Sequence, residues 1–335
     1  MVDSGTYAEN VTVDTGGLSL EGPNAGTPGH DGDRESEATV EGQVVVSADN
    51  VVFDGFDVSP PNASSGAEAL RVSDSTDSVI VRNNVVRDFS EDELPQWEGI
   101  DGINVFGNDA SDEVSNVTVA DNLVEKVSGR STDGGAAGIS VQGNVEGADI
   151  NDNVVRDIGQ EDTAWAFGIV VRGTENHGET PSEVDVIENN IATVQSNPTT
   201  DTAGVGLGIE SGDEIAVTFE DNTLSSTEYL LEDKTATVNL TAFADSNTLD
   251  RGVLLEEAQI SDDTRNVVFN SVQDGLNSVS ENQTISLLPG TYDSSATVDT
   301  AGVTIEGPNA DRDGSSDTRT AESIISDKST SMRQT

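Results

Sequence analysis

Five times along this chain the pattern V-x-V-x-x-N-x-V recurs, and few folds can accommodate such a repeat. The first full copy is Val79, Val81, Asn84, Val86 and Phe89, and the second is Val117, Val119, Asn122, Val124 and Val127. Ala148, Ile150, Asn153, Val155 and Ile158 form the third, and Val184, Val186, Asn189, Ile191 and Val194 the fourth. A weaker fifth is Val217, Phe219, Asn222 and Leu224; earlier, Val51, Phe53, Phe56 and Val58 fit with Phe56 in the Asn slot. Successive Asn residues are separated by 38, 31, 36 and 33 positions. A second, shorter strand alternates with the first: Leu70-x-Val72, Ile103-x-Val105, Ile139-x-Val141, Ile169-x-Val171 and Leu207-x-Ile209.

A period in this range marks units too small to bury an apolar face alone, which must stack on their neighbours. Alternation with period 2 marks strands with one face inward. The intervening Gly-, Ser-, Thr-, Asp- and Asn-rich stretches show no helical period and read as turns. Strands that stack without crossover helices imply an all-β fold, a right-handed parallel β-helix (a single-stranded solenoid). In that geometry a buried turn leaves backbone groups unpaired, and an Asn amide can both donate and accept there. Asn84, Asn122, Asn153, Asn189 and Asn222 are therefore expected to stack as a ladder. A leucine-rich repeat has a similar core pattern. The steps here are longer and irregular, Val outnumbers Leu, and there is no helical half-repeat.

Residues 5–26 (GTYAENVTVDTGGLSLEGPNAG) return as 290–311 (GTYDSSATVDTAGVTIEGPNAD) at an offset of 285, with 13 of 22 positions identical. Ahead of the second copy, Phe269, Val272, Leu276 and Val279 recur at helical spacing, so a short amphipathic helix is expected near 270–280. A helix there would cap the open end of a solenoid. The division that follows is 1–262, a β-helix unit lacking its amino-terminal cap, and 263–335, a capping helix with the first coil of a second, truncated unit. An uncapped amino end is expected to fray or to associate head to tail, or with neighbouring β-helix units.

The helix, the I-x-L-x-P-G-T-Y segment and the T-V-D-x-x-G-x-x-I-E-G-P-N-A segment together resemble the opening of pectin-lyase-like β-helix domains of prokaryotic, halophile-type surface proteins. The stretch from Glu228 to Ser261 is similar to their closing segment. The resemblance implies tandem units on a secreted or wall-bound chain. It also implies a test for catalysis, since that superfamily includes polysaccharide lyases, hydrolases, esterases and epimerases. The hydrolase N-T-D, D-D, G-H-G and R-I-K, the esterase Q-D-T-L and G-R-P-W and the lyase Arg-x-Pro-x-x-Arg are all missing. The nearest approach is Gly99-Ile100-Asp101-Gly102. His30 and His177 lie in polar loops without metal spacing or a neighbouring nucleophile.

Charge narrows the partners. With 63 Asp plus Glu against 15 Lys plus Arg, the chain carries a net -48, which repels nucleic acid and anionic membrane. Acids spread evenly with almost no Lys resemble proteins of extreme halophiles, where molar salt screens repulsion to within about 3 Å. There is no Cys, hence no disulfide or thiolate site. No apolar run approaches the roughly 20 residues of a membrane span. No basic-then-apolar leader follows Met1, so the chain reads as a fragment or as a sequence whose signal is gone.

Candidate sites follow from the loops. Trp97 and Trp165 precede G-I-x-V strands two coils apart; with Glu98 and Asp101 they could stack on sugar rings and accept sugar hydroxyls, or the two Trp could instead fold back as apolar lids. Asp31 and Asp33, and again Asp311 and Asp313, follow each G-P-N-A and offer oxygen ligands for calcium without a full ligand series. No other cofactor is indicated. Asn10, Asn62, Asn116, Asn239 and Asn282 head N-x-[ST] sequons, candidate glycan sites. Aligning the copies on Asn sets Arg87, Glu125 and Arg156 in one outward column and Asp88, Lys126 and Asp157 in the next, both alternating in sign. The expectation is a non-catalytic extracellular module, structural or adhesive, from an array on a halophile surface. The alternatives are a polysaccharide-active enzyme without recognisable motifs, and a viral spike or fibre module.

Overall fold

Each repeat closes one coil of three short strands. In a computed structural model, one turn runs through Ile80–Arg82, Val85–Glu91 and Gly99–Gly107 before returning one level up at Val114–Ala120. The structure describes residues 1–326 apart from 62–67, 74, 92–98, 130, 161–162, 175–177, 198–202, 212, 261–262, 294–295 and 316–317. Equivalent strands of successive coils pair in parallel and build three sheets. Among the described residues, sheet 1 has nine strands (Val85–Glu91 is one), sheet 3 seven (with Ile80–Arg82) and sheet 2 twelve (with Gly99–Gly107), of which eight stack in parallel and four are joined to them through antiparallel pairs at the closing end. Each coil is a crossover between parallel neighbours of one sheet, a connection that strand twist makes right-handed. The chain is a parallel β-helix.

The sequence pattern marks two strand segments per coil, whereas the structure has three. The Asn-centred segment bends at the Asn, and its halves belong to sheets 3 and 1. The residue before each ladder Asn sets the bend: Asn83, Asp121, Asp152, Glu188 and Asp221 all have φ between 53 and 58°. Left-handed backbone costs a non-glycine residue about 1–2 kcal/mol, so it persists only where the turn is held from outside. The ladder holds it. The Asn122 backbone N–H and Nδ2 both donate to Oδ1 of Asn153, each at 3.0 Å, while Nδ2 also donates to the Val81 carbonyl at 3.0 Å. Asn84, Asn153, Asn189 and Asn222 repeat the arrangement. A sixth rung, Asn247, ends the file and donates to the carbonyls of Phe219 and Phe243. At the other end Phe56, in the Asn slot, donates its N–H to Asn84 Oδ1 and stacks its ring on Phe53 at 4.4 Å.

The apolar positions of every copy point into one continuous core: Val81, Val119, Ile150 and Val186 from sheet 3, Phe89, Val127, Ile158 and Val194 from sheet 1, and the I-x-V residues from sheet 2. Each fully buried Val or Ile contributes roughly 1.5–3 kcal/mol. At the corner between sheets 1 and 2 a column of Gly102, Gly138, Gly168 and Gly206 packs against core side chains; a Cβ on Gly138 would sit 2.4 Å from Val155 Cγ1.

The solenoid closes through two helices and a hairpin. Helix Leu240–Ser246 packs Phe243 edge-on against Phe219, ring centroids 6.1 Å apart. Its single turn of apolar spacing, Leu240 and Phe243, is too short to read as a helix in sequence. The antiparallel strands Val253–Ile260 and Asp263–Phe269 then form a plate: Leu254 and Val268 face the main core, and Val253, Leu255, Val267 and Phe269 face a second one. The sequence division at 262 falls between these two strands. The helix predicted near 270–280 is Val272–Asn277; Ser271 caps it, and Val272 and Leu276 lie in the second core.

Candidate functional site on sheet 2

In the I-x-V strands of sheet 2 the flanking residues fill the core, so the middle residue faces out. Register places Arg71, Asn104 and Ser140 in one outward column on three successive coils. Gly102 turns its Cα inward, which leaves Asp101 on the outer side opposite Glu68 of the coil before. Asn104 Nδ2 donates to Glu68 Oε1 at 3.2 Å, and Arg71 Nη1 lies 3.5 Å from the same oxygen. Asp101 Oδ2 accepts from Arg172 Nη2 at 2.6 Å, a pair that spans two coils. The Arg71 guanidinium stacks 4.6 Å above the Phe106 ring.

This outward face is buried, with Asn104 2% and Ser140 0% exposed. Burial pushes the Asp101 carboxyl above its usual range, with Arg172 opposing. Burial also raises Glu68, as does the neighbouring Asp101, while Arg71 and Asn104 oppose. Two acids on adjacent coils are thus biased toward their neutral forms. Four polar atoms here have no partner: Arg71 Nε, Asn104 Oδ1, Ser140 Oγ and Arg172 Nε. A buried unsatisfied polar atom costs about 1–3 kcal/mol, and folded proteins hold few of them. Donors and acceptors grouped in this way suit a ligand rich in hydroxyl groups.

Trp165 borders the same face. Its ring lies flat over Gly135, where a Cβ would come within 2.1 Å of it, and extends to Gly99, two residues from Asp101. Phe167 meets it at 6.0 Å with Ala137, Val170, Ala203 and Val205 around them. One face of the Trp165 ring is therefore covered by backbone. Trp97 and Glu98 lie outside the described residues. Of the residues singled out in sequence, Asp101 and Trp165 are brought together. Glu68, Arg71, Asn104, Ser140 and Arg172 were not legible as a group. The available signal was the middle residue of each I-x-V strand, polar in three consecutive copies.

The other candidates lie elsewhere. Asp31 and Asp33 are exposed, and Asp31 Oδ1 accepts from the Asp33 N–H at 2.9 Å. Asp311 is exposed, and Asp313 Oδ1 accepts from Ser315 N–H and Oγ–H. Those two bonds lower the Asp313 carboxyl below its usual range. Among the described residues no three His, Asp or Glu side chains are grouped to hold a metal. The loops they belong to are closed by other residues. Asn24 bridges to Glu35 and Asn309 to Thr320, eleven positions on in each, and Arg34–Glu37 and Arg319–Glu322 pair equivalently.

Asn10, Asn116, Asn239 and Asn282 are exposed. Asn116 Nδ2 donates to Asp77, Asn10 Oδ1 accepts from the Gln43 N–H, and Asn239 caps helix Leu240–Ser246. Asn62 lies outside the described residues. A polar concavity of about 520 Å³ beside Thr174, Glu179, Glu210 and Asp213 contains the Lys234–Glu210 ion pair, and none of its lining side chains has a buried unpartnered atom.

On sheet 1 the charge columns take the aligned register, Arg87 opposite Glu125 and Glu125 opposite Arg156. The expected contact above and below each charge is corrected in both columns: Arg87 turns down to Asp57, 2.9 Å away, and leaves Glu125 to Arg156, and among the described residues Lys126 pairs with Asp88 and Glu125 rather than with Asp157. Asp57 is buried and offers Arg87 both oxygens, which decides the choice. Lys126 meets Asp88 at 3.3 Å. Among the described residues, ten of the twelve basic side chains are committed to such internal pairs. No protein family matches this chain in sequence, and no characterised protein does either.

Proposed function

We propose that this chain is a non-catalytic extracellular β-helix module, structural or adhesive, one unit of an array on the surface of a halophile, and that the outer face of sheet 2 is its glycan-binding face. The observation that carries the reading is the grouping of Arg71, Asn104, Ser140 and Arg172, each with a buried unpartnered atom, beside Trp165. Sugar hydroxyls would satisfy both donors and acceptors, and the face of the Trp165 ring turned away from Gly135 would pack on a pyranose face. The net charge of -48 supports the halophile setting, and the resemblance to pectin-lyase-like surface domains supports the location. Because Asn104 and Ser140 are buried, a ligand must displace what covers them, so association should fall below the usual 10⁵–10⁷ M⁻¹s⁻¹ or so.

Calorimetry with neutral and uronate oligosaccharides in molar KCl tests this. Binding is expected, with Asn104→Ala and Trp165→Ala each weakening it roughly tenfold or more, about 1.4 kcal/mol. No heat with either sugar class sinks the reading. A second reading, a polysaccharide-active enzyme, is favoured by the raised carboxyls of Glu68 and Asp101 on neighbouring coils, the pattern of an acid–base site. New reducing or unsaturated ends, lost in Asp101→Asn, would replace the first reading with this one.

A further inference from the structure

The two copies of the 22-residue motif share two strands but sit on different ground, and Val11–Val13 is a strand in the first copy alone. Strands Gly5–Tyr7 and Gly290–Tyr292 correspond, as do Ser19–Glu21 and Thr304–Glu306, and Ala38–Val40 and Ser323–Ile325. Gly17 and Gly302 share a φ of 73 and 74°. Beneath the second copy lies the closing segment. The Tyr292 hydroxyl accepts from the Gly252 N–H and lies 2.8 Å from the Gly252 carbonyl and 2.9 Å from that of Leu288, four residues earlier. Thr297 exchanges backbone bonds with the side chain of Gln273 on helix Val272–Asn277, and Arg251 donates to the Thr291 carbonyl. Strand Thr284–Leu287 pairs with Thr304–Glu306. Tyr292 is 2% exposed.

Among the described residues no equivalent segment lies beneath the first copy. Val2, Tyr7, Val11 and Leu20 are only partly buried, and Leu18 is 40% exposed. Yet Tyr7 already holds the seated posture: its hydroxyl donates to the carbonyl of Asp3, also four residues earlier, at 2.9 Å. The residues that touch the closing segment in the second copy have counterparts here. Tyr292 corresponds to Tyr7, Thr291 to Thr6, Thr297 to Thr12 and Gly302 to Gly17; Thr304, Ile305 and Val303 are replaced by Ser19, Leu20 and Leu18, Ala296 by Val11, and Ser323, which donates to the Leu288 carbonyl, by Ala38.

We propose that the underside of the first coil is an interaction surface, and that its partner is a closing segment of the 251–288 kind supplied by another unit of this type. Units then abut tail to head, with the hairpin and helix of one seated under the Gly-Thr-Tyr coil of the next. The inference deepens the array reading and rests on it. It does not depend on glycan binding, so a negative result with sugars leaves it standing.

Within this chain the seat is filled by residues 290–325, so the test supplies a second one. Residues 251–289 are grafted ahead of Gly5 in the full chain, replacing Met1–Ser4, and amide hydrogen exchange is followed in molar salt. Exchange in 5–7 and 19–21 is expected to slow roughly tenfold or more, toward that of 290–292 and 304–306, which serve as the internal standard. Tyr7→Phe in the grafted chain should forfeit part of the gain, because it deletes the hydroxyl between the two carbonyls. Unchanged exchange in the first coil beside a protected graft helix would overturn the proposal. So would a graft helix that exchanges as unfolded chain, since no seat would then have formed.

Discussion

Arg156 reaches back one coil to Glu125, with Nε at 2.9 Å and Nη2 at 2.7 Å from the same carboxylate oxygen. Arg87, one coil earlier and in register with Glu125, makes the equivalent reach to Asp57. Four side chains on four consecutive coils thus pair as two dipoles rather than as one chain of alternating contacts. Each pair joins a half-exposed Arg to a buried carboxylate, so desolvation offsets much of the Coulombic gain. Their larger effect is on register, because a one-residue slip would turn every core side chain outward.

Register can be read chemically, since the chain has no Cys of its own. Arg87→Cys with Glu125→Cys places thiols on directly paired residues of adjacent strands, where spacing of about 4.8 Å lies inside the disulfide window. This pair should oxidise readily in air. Arg87→Cys with Arg156→Cys spans two coils and should stay reduced. Rapid bridging of the second pair alone would contradict the parallel stack here.

The ladder should be sensitive at its centre. Asn153→Ala removes the acceptor for both the N–H and Nδ2 of Asn122 and the donor to the Val119 carbonyl. Leaving these buried groups unsatisfied should destabilise the fold by about 3–4 kcal/mol. Chemical denaturation in molar salt gives the number. A loss under about 1 kcal/mol would mean that water replaces the amide at no cost and that the ladder is not a stabilising element.

Acid should stabilise the sheet 2 face. The folded-state pKa values of Asp101 and Glu68 are raised, chiefly by burial. The folded chain therefore holds these protons to higher pH than the unfolded chain. The associated stability is fully present below the ordinary carboxylate range of about 4 and is lost as pH rises through the raised values. Asp101→Asn with Glu68→Gln should flatten that part of the stability–pH curve, measured in molar salt to screen general repulsion. A double variant with the parental slope would mean that neither group is desolvated.

Salt should matter as strongly. A net charge of -48, with ten of the twelve described cations already in internal pairs, leaves the remaining acids facing one another. The melting temperature is expected to drop steeply from molar to millimolar KCl, as the screening length grows from about 3 to 30 Å. A constant melting temperature across that range would remove the halophile argument.

The sequence by itself determined the architecture, because period and register are properties of a linear string. A V-x-V step with an Asn three residues on can satisfy core and turn together only by stacking, so the core positions of the central coils and five of the six rungs were legible, whereas the early strands Ala38–Val40 and Val44–Val46 were not. Asn247 was not, since it follows a helix rather than a V-x-V strand, and its role is set by the rung beneath it. The third strand per coil was hidden for a related reason. Left-handed residues such as Asp121 and Asp152 are of a type that tolerates that backbone, but Asp and Asn fill the loops as well, and the ladder that holds them is a tertiary contact. The candidate site lay furthest from view. Glu68, Arg71, Asp101, Asn104, Ser140 and Arg172 are spread over 105 residues of sequence and meet only because coils of unequal length bring them onto one face. Their burial, which raises two carboxyls and strands four polar atoms, depends on what lies above that face, and no local pattern encodes it.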